Sequence, residues 1–278
     1  MKTKIEWATH TWNPVTGCTP ISEGCEHCYA ARMAKRLAGR CGYPQDDPFR
    51  PGTFHANRLN DPLKIKKSSM IFVCSMGDLF HEDVSELIID EILDVIAACP
   101  QHVFIMLTKR PQNIEQKLYA STPKCGCRHL GGGDYMPNVW LGVTAENQAR
   151  AEERIPILLS IPAAVRFVSV EPMLGPVDLN RAGAIWADMN GSIRPEYQQP
   201  CRTIDWVICG GETGPGARPM HPDWARSLRD QCKSASVPFF FKSMGDWWRN
   251  THGYARCDKI QSRYLDGVEY GEYPEGVE

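Results

Sequence analysis

The sequence has no apolar run long enough to cross a bilayer and no excess of positive charge. Of its 278 residues, 31 are Lys or Arg and 33 are Asp or Glu, which gives a net charge of −2. A membrane-spanning helix needs about 20 consecutive apolar residues, and a general nucleic-acid-binding surface is basic. We therefore expect neither a membrane segment nor a broad nucleic-acid-binding face, although a local basic patch stays open. Residues 1–10 are charged and lack the apolar core of a signal peptide, so we expect a cytoplasmic protein.

The cysteine content is too low for a disulfide scaffold, although the chain has 12 cysteines. Disulfide scaffolds carry cysteine at more than about 8–10% of their positions. In a cytosolic chain thiols stay reduced, and clustered cysteines indicate metal binding or catalysis.

Short apolar, β-branched or aromatic runs recur along the chain and predict strands buried on both faces. They cover residues 70–74, 102–107, 139–143, 165–170, 206–210 and 237–241, with a weaker first strand over 4–7. Helical periodicity follows over 84–99, 111–119, 148–159 and 222–234. This alternation predicts an α/β fold, a partial (β/α) barrel of about six to seven βα units. An open doubly wound sheet is the competing topology. We expect one domain over residues 1–248, with an inserted loop at 121–137 and a C-terminal extension over 249–278.

Every predicted strand is followed by charged or small polar residues. In parallel βα folds these ends converge on the ligand, whereas helix caps and turns favour the same residue types. We expect the set as a whole to face a ligand. Its members are Asp78, Lys109, Arg110, Glu146, Asn147, Glu171, Gly210, Gly211, Glu212 and Lys242.

Three cysteines near the N-terminus form the strongest motif. Cys18 is followed after six residues by the Cys-x-x-Cys pair Cys25 and Cys28, and residues 29–37 favour a helix. Three thiolates leave one iron of a [4Fe–4S] cube without a protein ligand, whereas electron-transfer clusters usually have four cysteines. A zinc site completed by His27 or a distant cysteine stays open. A redox Cys-x-x-Cys fits less well, because such motifs lack a third cysteine upstream.

The motif and the βα pattern resemble the radical S-adenosylmethionine superfamily. The first gap has six residues where the superfamily usually has three, and His27 occupies a position that is usually aromatic. A closer resemblance is to an uncharacterised family of phage and bacterial three-cysteine proteins that are radical-SAM-like. It spans about residues 5–247. The matching segments are 12–14, 17–18, 24–25, 28–29, 77–80, 107–111, 142–147, 171–172, 174–176, 210–214 and 240–242.

The resemblance implies a [4Fe–4S] cluster held by Cys18, Cys25 and Cys28, S-adenosylmethionine as the small-molecule cofactor, and an electron donor. It does not supply a substrate. Among the strand-end residues, Asp78 is expected to bind the methionyl amine, and Glu146 or Asn147 the ribose. Gly210 and Gly211 would let the adenosyl group approach the backbone closely. The methionyl carboxylate or an anionic substrate is expected at Lys109, Arg110 and Lys242, and either ligand at Glu171 and Glu212.

The inserted loop carries a second group of metal-ligand types. Cys125, Cys127 and His129 stand at alternate positions and would hold a second metal, with Cys41 as a further candidate. The alternative is a flexible loop that happens to carry thiols.

The favoured function is a radical S-adenosylmethionine-type enzyme. The occurrence of the family in phages suggests a nucleotide or nucleic acid as its substrate. The alternative is a non-enzymatic iron–sulfur or zinc protein acting as a nucleic-acid- or partner-binding module. A barrel hydrolase using a divalent metal would leave the cysteines without a role.

Overall fold

The structure is a computed structural model of the 278-residue chain, and it describes residues 2–119, 136–185, 203–252 and 264–275. The chain divides into two compact units. The first comprises Met1–Ser22, Cys28–Gly142 and Ile161–Ala164, and the second comprises Glu23–His27, Val143–Ser160 and Val165–Glu278. Among the described residues, no helix combines the length and apolar character that a membrane crossing requires.

Seven strands form the main sheet, in the order β1-β4-β5-β6-β7-β8-β9. They are β1 (His10–Trp12), β4 (Met70–Val73), β5 (Val103–Thr108), β6 (Val139–Thr144), β7 (Val165–Val170), β8 (Trp206–Gly210) and β9 (Phe239–Ser243). The strands are parallel, and their order follows the chain without reversal. A doubly wound sheet reverses at a switch point. The predicted α/β fold with the strand order of a partial (β/α) barrel is therefore confirmed.

The six apolar runs predicted as strands form β4 to β9, but the weaker strand predicted over residues 4–7 is wrong. Those residues form a turn in which the Ala8 amide donates to the Ile5 carbonyl at 3.2 Å. Trp7 is buried and its ring packs on Phe72, so its apolar character serves packing rather than strand pairing. The first strand begins at His10.

Helices lie between the strands. They are α1 (Tyr29–Arg36), α2 (Glu86–Ala97), α3 (Ile114–Tyr119), α4 (Gln148–Ser160), α5 (Pro222–Ser234) and α6 (Gly245–Thr251). Ile92, Val95 and Ile96 of α2 are buried, as the periodicity predicts, whereas Leu87 at its start is exposed. Three 3₁₀ turns fall at Ala56–Arg58, Pro62–Lys64 and Pro111–Asn113, and a fourth falls at Glu23–Cys25.

Two small antiparallel ladders complete the described chain. β2 (Val15–Thr16) pairs with β3 (Thr53–Phe54) in the first unit, and β10 (Tyr264–Leu265) pairs with β11 (Val268–Glu269) in the second. The first ladder directly precedes Cys18. It therefore fixes where the cysteine loop begins.

Candidate functional site

In the first unit, the loop that carries Cys18 is attached to the end of β4 through two glycines. Gly17 bridges Gly77, and its amide donates to the Met76 carbonyl at 3.0 Å. Gly17 has φ +89°, and a Cβ there would lie 1.9 Å from the Arg50 carbonyl oxygen. Only glycine fits this backbone. A side chain at position 17 would therefore displace the residue before Cys18.

Asn13 also holds this attachment in place. Its Oδ1 accepts hydrogen bonds from the Met76 amide at 2.9 Å and the Ser75 hydroxyl at 3.2 Å. These donors lie just beyond β4, where the strand ladder no longer supplies acceptors. These contacts give a structural role to Asn13, the polar residue of the matching segment 12–14.

Arg110 is buried beside Cys18. Its Nη1 lies 3.3 Å from the Cys18 Sγ, and its Nη2 donates to the Thr19 carbonyl at 3.0 Å and hydroxyl at 2.8 Å. Burial disfavours the charged guanidinium, but Cys18, Asp78 and Glu82 outweigh it and raise the pKa of Arg110 above its ordinary value. A cation in this position favours a negatively charged sulfur at Cys18.

Asp78 is a buried acceptor that joins the ends of β4 and β5. Its carboxylate accepts from the Thr108 hydroxyl at 2.8 and 2.9 Å and from the Phe80 amide at 3.0 Å. Arg110 Nη1 lies 3.5 Å away. The side chain predicted to bind a methionyl amine is therefore already engaged by its own unit. Lys109 is half-buried just beyond β5, and its amide lies 3.5 Å from Asp78 Oδ2.

The other two cysteines precede α1 in the sequence. Cys25 ends the 3₁₀ turn Glu23–Cys25, and Cys28 is the N-cap of α1. Cys18, Cys25 and Cys28 form no disulfide in the structure, and all three are half-buried. Cys28 packs against the buried cluster of Ala30, Ala34, Tyr43 and Met76. The α1 N-terminus favours negatively charged groups such as a thiolate.

The chemistry of these donors fits an iron–sulfur cluster. Over the described parts of the chain, no group of three or more His, Cys, Asp or Glu side chains is arranged to hold a single metal ion. In a [4Fe–4S] cluster each cysteine binds a different iron atom, so its ligands need not converge on one point. Three partly exposed thiols within eleven residues would provide ligands for three of the four irons.

In the second unit, Glu212 and Arg218 hold the segment Glu23–His27. The Arg218 guanidinium binds Glu212 at 2.6 and 3.0 Å, the Glu26 carboxylate at 2.9 Å and the Glu23 carbonyl at 2.9 Å. The His27 Nδ1 lies 3.0 Å from Glu212 Oε2. Burial disfavours the Glu212 carboxylate, but hydrogen bonds from Arg218 and His27 outweigh it and lower its pKa to about 2.

Glu146 forms a buried ion pair with Arg154. Arg154 Nη1 lies 2.9 Å from Glu146 Oε2 and donates to the Thr144 carbonyl at 2.7 Å. The side chain of Glu146 is fully buried, and that of Arg154 is 2% exposed. A Cβ on Gly24 would lie 2.4 Å from Glu146 Oε1. The residue predicted to bind ribose thus sits inside the second unit, beneath Gly24.

Glu171 and Lys242 form an ion pair at the ends of β7 and β9, and both side chains are about one-fifth exposed. Gly210, at the end of β8, lies between them, since its Cβ would be 3.4 Å from both Glu171 Cδ and Lys242 Cβ. Three predicted residues are therefore brought together here. Among the strand-end carboxylates of the described chain, Glu171 has the greatest exposure.

Two further predicted residues serve the chain itself. Asn147 Oδ1 accepts from the Arg150 amide at 3.1 Å in the first turn of α4, which is the capping alternative of the sequence analysis. A Cβ on Gly211 would lie 2.3 Å from the Met244 carbonyl, so its small size admits neighbouring backbone. Cys125, Cys127 and His129 lie outside the described residues, and the second metal stays a prediction.

The basic partners Arg154 and Arg218 were not predicted from the sequence. Arg154 had a readable signal, because it lies on the stripe of α4 that buries Ala151, Ile155 and Leu158. A charged residue on a buried stripe indicates a buried partner. Arg218 stands in a loop without periodicity, so no pattern marked it.

Comparison with known proteins identifies the family. The profile of the family described as "Protein of unknown function (DUF5131)" matches residues 2–274. The chain therefore belongs to this family. A search of curated proteins finds no match.

Among solved structures, a spore photoproduct lyase mutant is similar to this chain. The identity is 11% and the TM-score is 0.45, with 85% of this chain and 64% of the lyase chain covered. The chain thus spans less than two thirds of the length of that structure.

Proposed function

We propose that this DUF5131 protein binds a [4Fe–4S] cluster through Cys18, Cys25 and Cys28 and acts as a radical S-adenosylmethionine-type enzyme. The observation that carries the proposal is the pairing of the Cys18 sulfur with buried Arg110 at 3.3 Å. A cation held beside a half-buried thiol stabilises the thiolate, and the thiolate is the form that binds metal. A structural thiol in an apolar core would not need a buried cation.

When bound, a reduced cluster supplies the electron that cleaves S-adenosylmethionine, and the protein orients and shields the reactants. The chain's own residues would act at two places. Arg110 hydrogen-bonds to the first sulfur of the motif. Glu171 and Lys242 present opposite charges with partial exposure, which suits the amine and carboxylate of a methionyl group or a charged substrate.

The geometry changes the expected division of roles among the strand ends. Asp78, Glu146 and Glu212 each bind a cation of their own unit and are at most 5% exposed. Ligand binding at any of them would require breaking that pair. We therefore favour Glu171, Gly210 and Lys242 as the ligand-contacting group, and the cofactor roles of Asp78 and Glu146 become secondary hypotheses.

Anaerobic reconstitution tests the proposal. The protein is treated with iron and sulfide, and bound iron and acid-labile sulfide are measured together with the electron paramagnetic resonance spectrum after reduction. S-adenosylmethionine is then added, and 5′-deoxyadenosine is quantified by mass spectrometry. A matched variant, Cys25→Ser, should lose the cluster signal, whereas Cys41→Ser, an exposed cysteine outside the motif, should keep it.

Three outcomes separate the candidate functions. A cluster that yields 5′-deoxyadenosine supports the enzyme. Stoichiometric zinc without iron would overturn the cluster and favour a zinc protein. A reduced cluster that leaves S-adenosylmethionine intact would favour the alternative, a non-enzymatic iron–sulfur module that binds nucleic acid or a protein partner.

We propose the substrate only by its chemical class. We infer a nucleotide or nucleic acid processed in the cytoplasm, with a separate electron donor. The net charge of −2 favours a nucleotide over a long duplex, because duplex binding depends on many phosphate contacts. Incubation with nucleotide pools and with oligonucleotides, in parallel, should show which one increases the yield of 5′-deoxyadenosine.

A further inference from the structure

The cysteine motif contains a short segment, Glu23–His27, that makes an unusually dense set of polar contacts for an exposed turn. Arg218 reaches both ends of it, through the Glu23 carbonyl at 2.9 Å and the Glu26 carboxylate at 2.9 Å. Arg150 Nε adds a contact to Glu23 Oε2 at 3.1 Å. Cys25 lies between these anchoring points.

The anchor for these contacts is itself buried. Glu212 is 5% exposed. Its carboxylate accepts hydrogen bonds from the Arg218 guanidinium and, at 2.8 Å, from the Arg218 backbone amide. The same carboxylate reaches His27 Nδ1 at 3.0 Å. One buried carboxylate therefore orients both the guanidinium and the ring that contact the segment.

Close packing leaves the segment little room to move. A Cβ on Gly24 would lie 2.4 Å from Glu146 Oε1, so the backbone before Cys25 rests directly on a buried side chain. On the other side, a Cβ on Gly216 would lie 3.5 Å from the His27 ring. Glycine at position 24 permits an approach that a larger residue would prevent, whereas the distance at Gly216 corresponds to an ordinary van der Waals contact.

We propose that Glu212 and Arg218 are positioning residues that hold Cys25 in the conformation that binds the cluster. The inference rests on the proposed function for its cluster, but the restraint on Cys25 exists in the protein without iron. Arg218 suits this task because its planar fork makes several directed hydrogen bonds at once, which a lysine cannot reproduce. Residues around metal ligands orient them in this way in many sites.

The first test measures Cys25 in the metal-free protein. Alkylation of each cysteine by iodoacetamide is followed by mass spectrometry in the wild type, Arg218→Met, Arg218→Lys and the control Arg181→Met, whose exposed side chain contacts Glu152. Loss of the directed hydrogen bonds should raise the rate at Cys25 about tenfold in Arg218→Met, equivalent to about 1.4 kcal/mol. Arg218→Lys should give a smaller increase, and Arg181→Met none.

Buried cysteines of the same unit distinguish local release from unfolding. Cys209 and Cys232 are fully buried and should stay unreactive in every variant. An unchanged rate at Cys25 in Arg218→Met, or a rise shared equally by Cys209 and Cys232, would overturn the positioning role.

The second test uses the reconstituted protein. Iron release to a chelator should be several-fold faster in Arg218→Met than in the wild type and unchanged in Arg181→Met. Equal release rates in all variants would contradict the inference. Absence of iron from the wild type would instead overturn the proposed function and leave the alkylation result to decide the restraint on Cys25.

Discussion

Replacing Arg154 by methionine should destabilise the protein strongly, because it leaves the fully buried Glu146 carboxylate without its cation. The two side chains meet at 2.9 Å with exposures of 2% and 0%. Removing one partner of a buried pair costs about 3–5 kcal/mol. A loss of 1 kcal/mol lowers the melting temperature by about 2–4 °C for chains of this size. We therefore expect the melting temperature to fall by about 6–20 °C.

A double-mutant cycle attributes this loss to the pair. Glu146→Gln alone should also cost about 3–5 kcal/mol, since it strands the arginine. The double variant Glu146→Gln/Arg154→Met should cost clearly less than the sum, because neither charge remains unpaired. Urea unfolding and calorimetry measure each corner. The control Arg181→Met breaks an exposed pair and should change stability by less than about 1 kcal/mol.

The same experiment distinguishes a structural from a ligand-binding role for Glu146. If Arg154→Met proves no more destabilising than Arg181→Met, the reasoning from burial is refuted. If Glu146→Gln keeps the wild-type melting temperature but loses binding of S-adenosylmethionine, the carboxylate serves the cofactor as the strand-end pattern suggested.

Three further predictions concern pH, backbone packing and the cluster. Burial and a nearby arginine lower the pKa of His55 from 6.5 to about 4, so the unfolded chain takes up a proton before the folded one. The contribution of His55 to the free energy of unfolding should be complete above pH 6.5 and should fall by up to about 3 kcal/mol towards pH 4. Urea titrations at each pH should show a flatter decline for His55→Gln. Gly211→Ala should lower the melting temperature, because its Cβ would lie 2.3 Å from the Met244 carbonyl, whereas Gly271→Ala, with open space around its Cβ, should change it little; equal shifts would count against the packing argument. Arg110→Lys should lower the midpoint potential of the cluster in a redox titration, because a hydrogen bond to a ligand sulfur stabilises the more negative reduced state; an unchanged potential would show that this bond does not act on the cluster.

The sheet could be predicted largely from the sequence, because strands buried on both faces read as continuous apolar runs. β7 and β8 begin and end where the runs do, and α5 covers the predicted 222–234. β1 escaped detection because His10 and Thr11 are polar and only partly buried at the sheet edge. Periodicity responds to burial, so an edge strand of three residues gives almost no signal.

The candidate site was predictable in its residue types but not in their partners. The strand-end position selected four carboxylates that form ion pairs in the structure, and their ligand-binding roles stay predictions; they are Asp78, Glu146, Glu171 and Glu212. Their cations come from elsewhere in each unit, as with Arg110, 32 positions after Asp78 in the sequence. Long-range pairings such as Asp78–Arg110 and Glu171–Lys242 depend on how loops return to the sheet, which no local pattern records. Which carboxylates stay accessible depends on how deeply each is buried, and burial is set by the fold.

The contacts around the cysteine loop impose an order on its maturation during synthesis. Arg110 follows Cys18 by 92 residues, and Arg218 follows Glu26 by 192. At about 5–20 residues per second, the ribosome exposes the three thiols roughly 5–18 s before the first of these arginines and about 10–40 s before the second. During that interval the thiols lack the side chains that restrain them. If the three thiols bind the proposed cluster, we expect its loading at the final geometry to be a late event, with the nascent thiols dependent on a reducing environment until Arg218 has emerged.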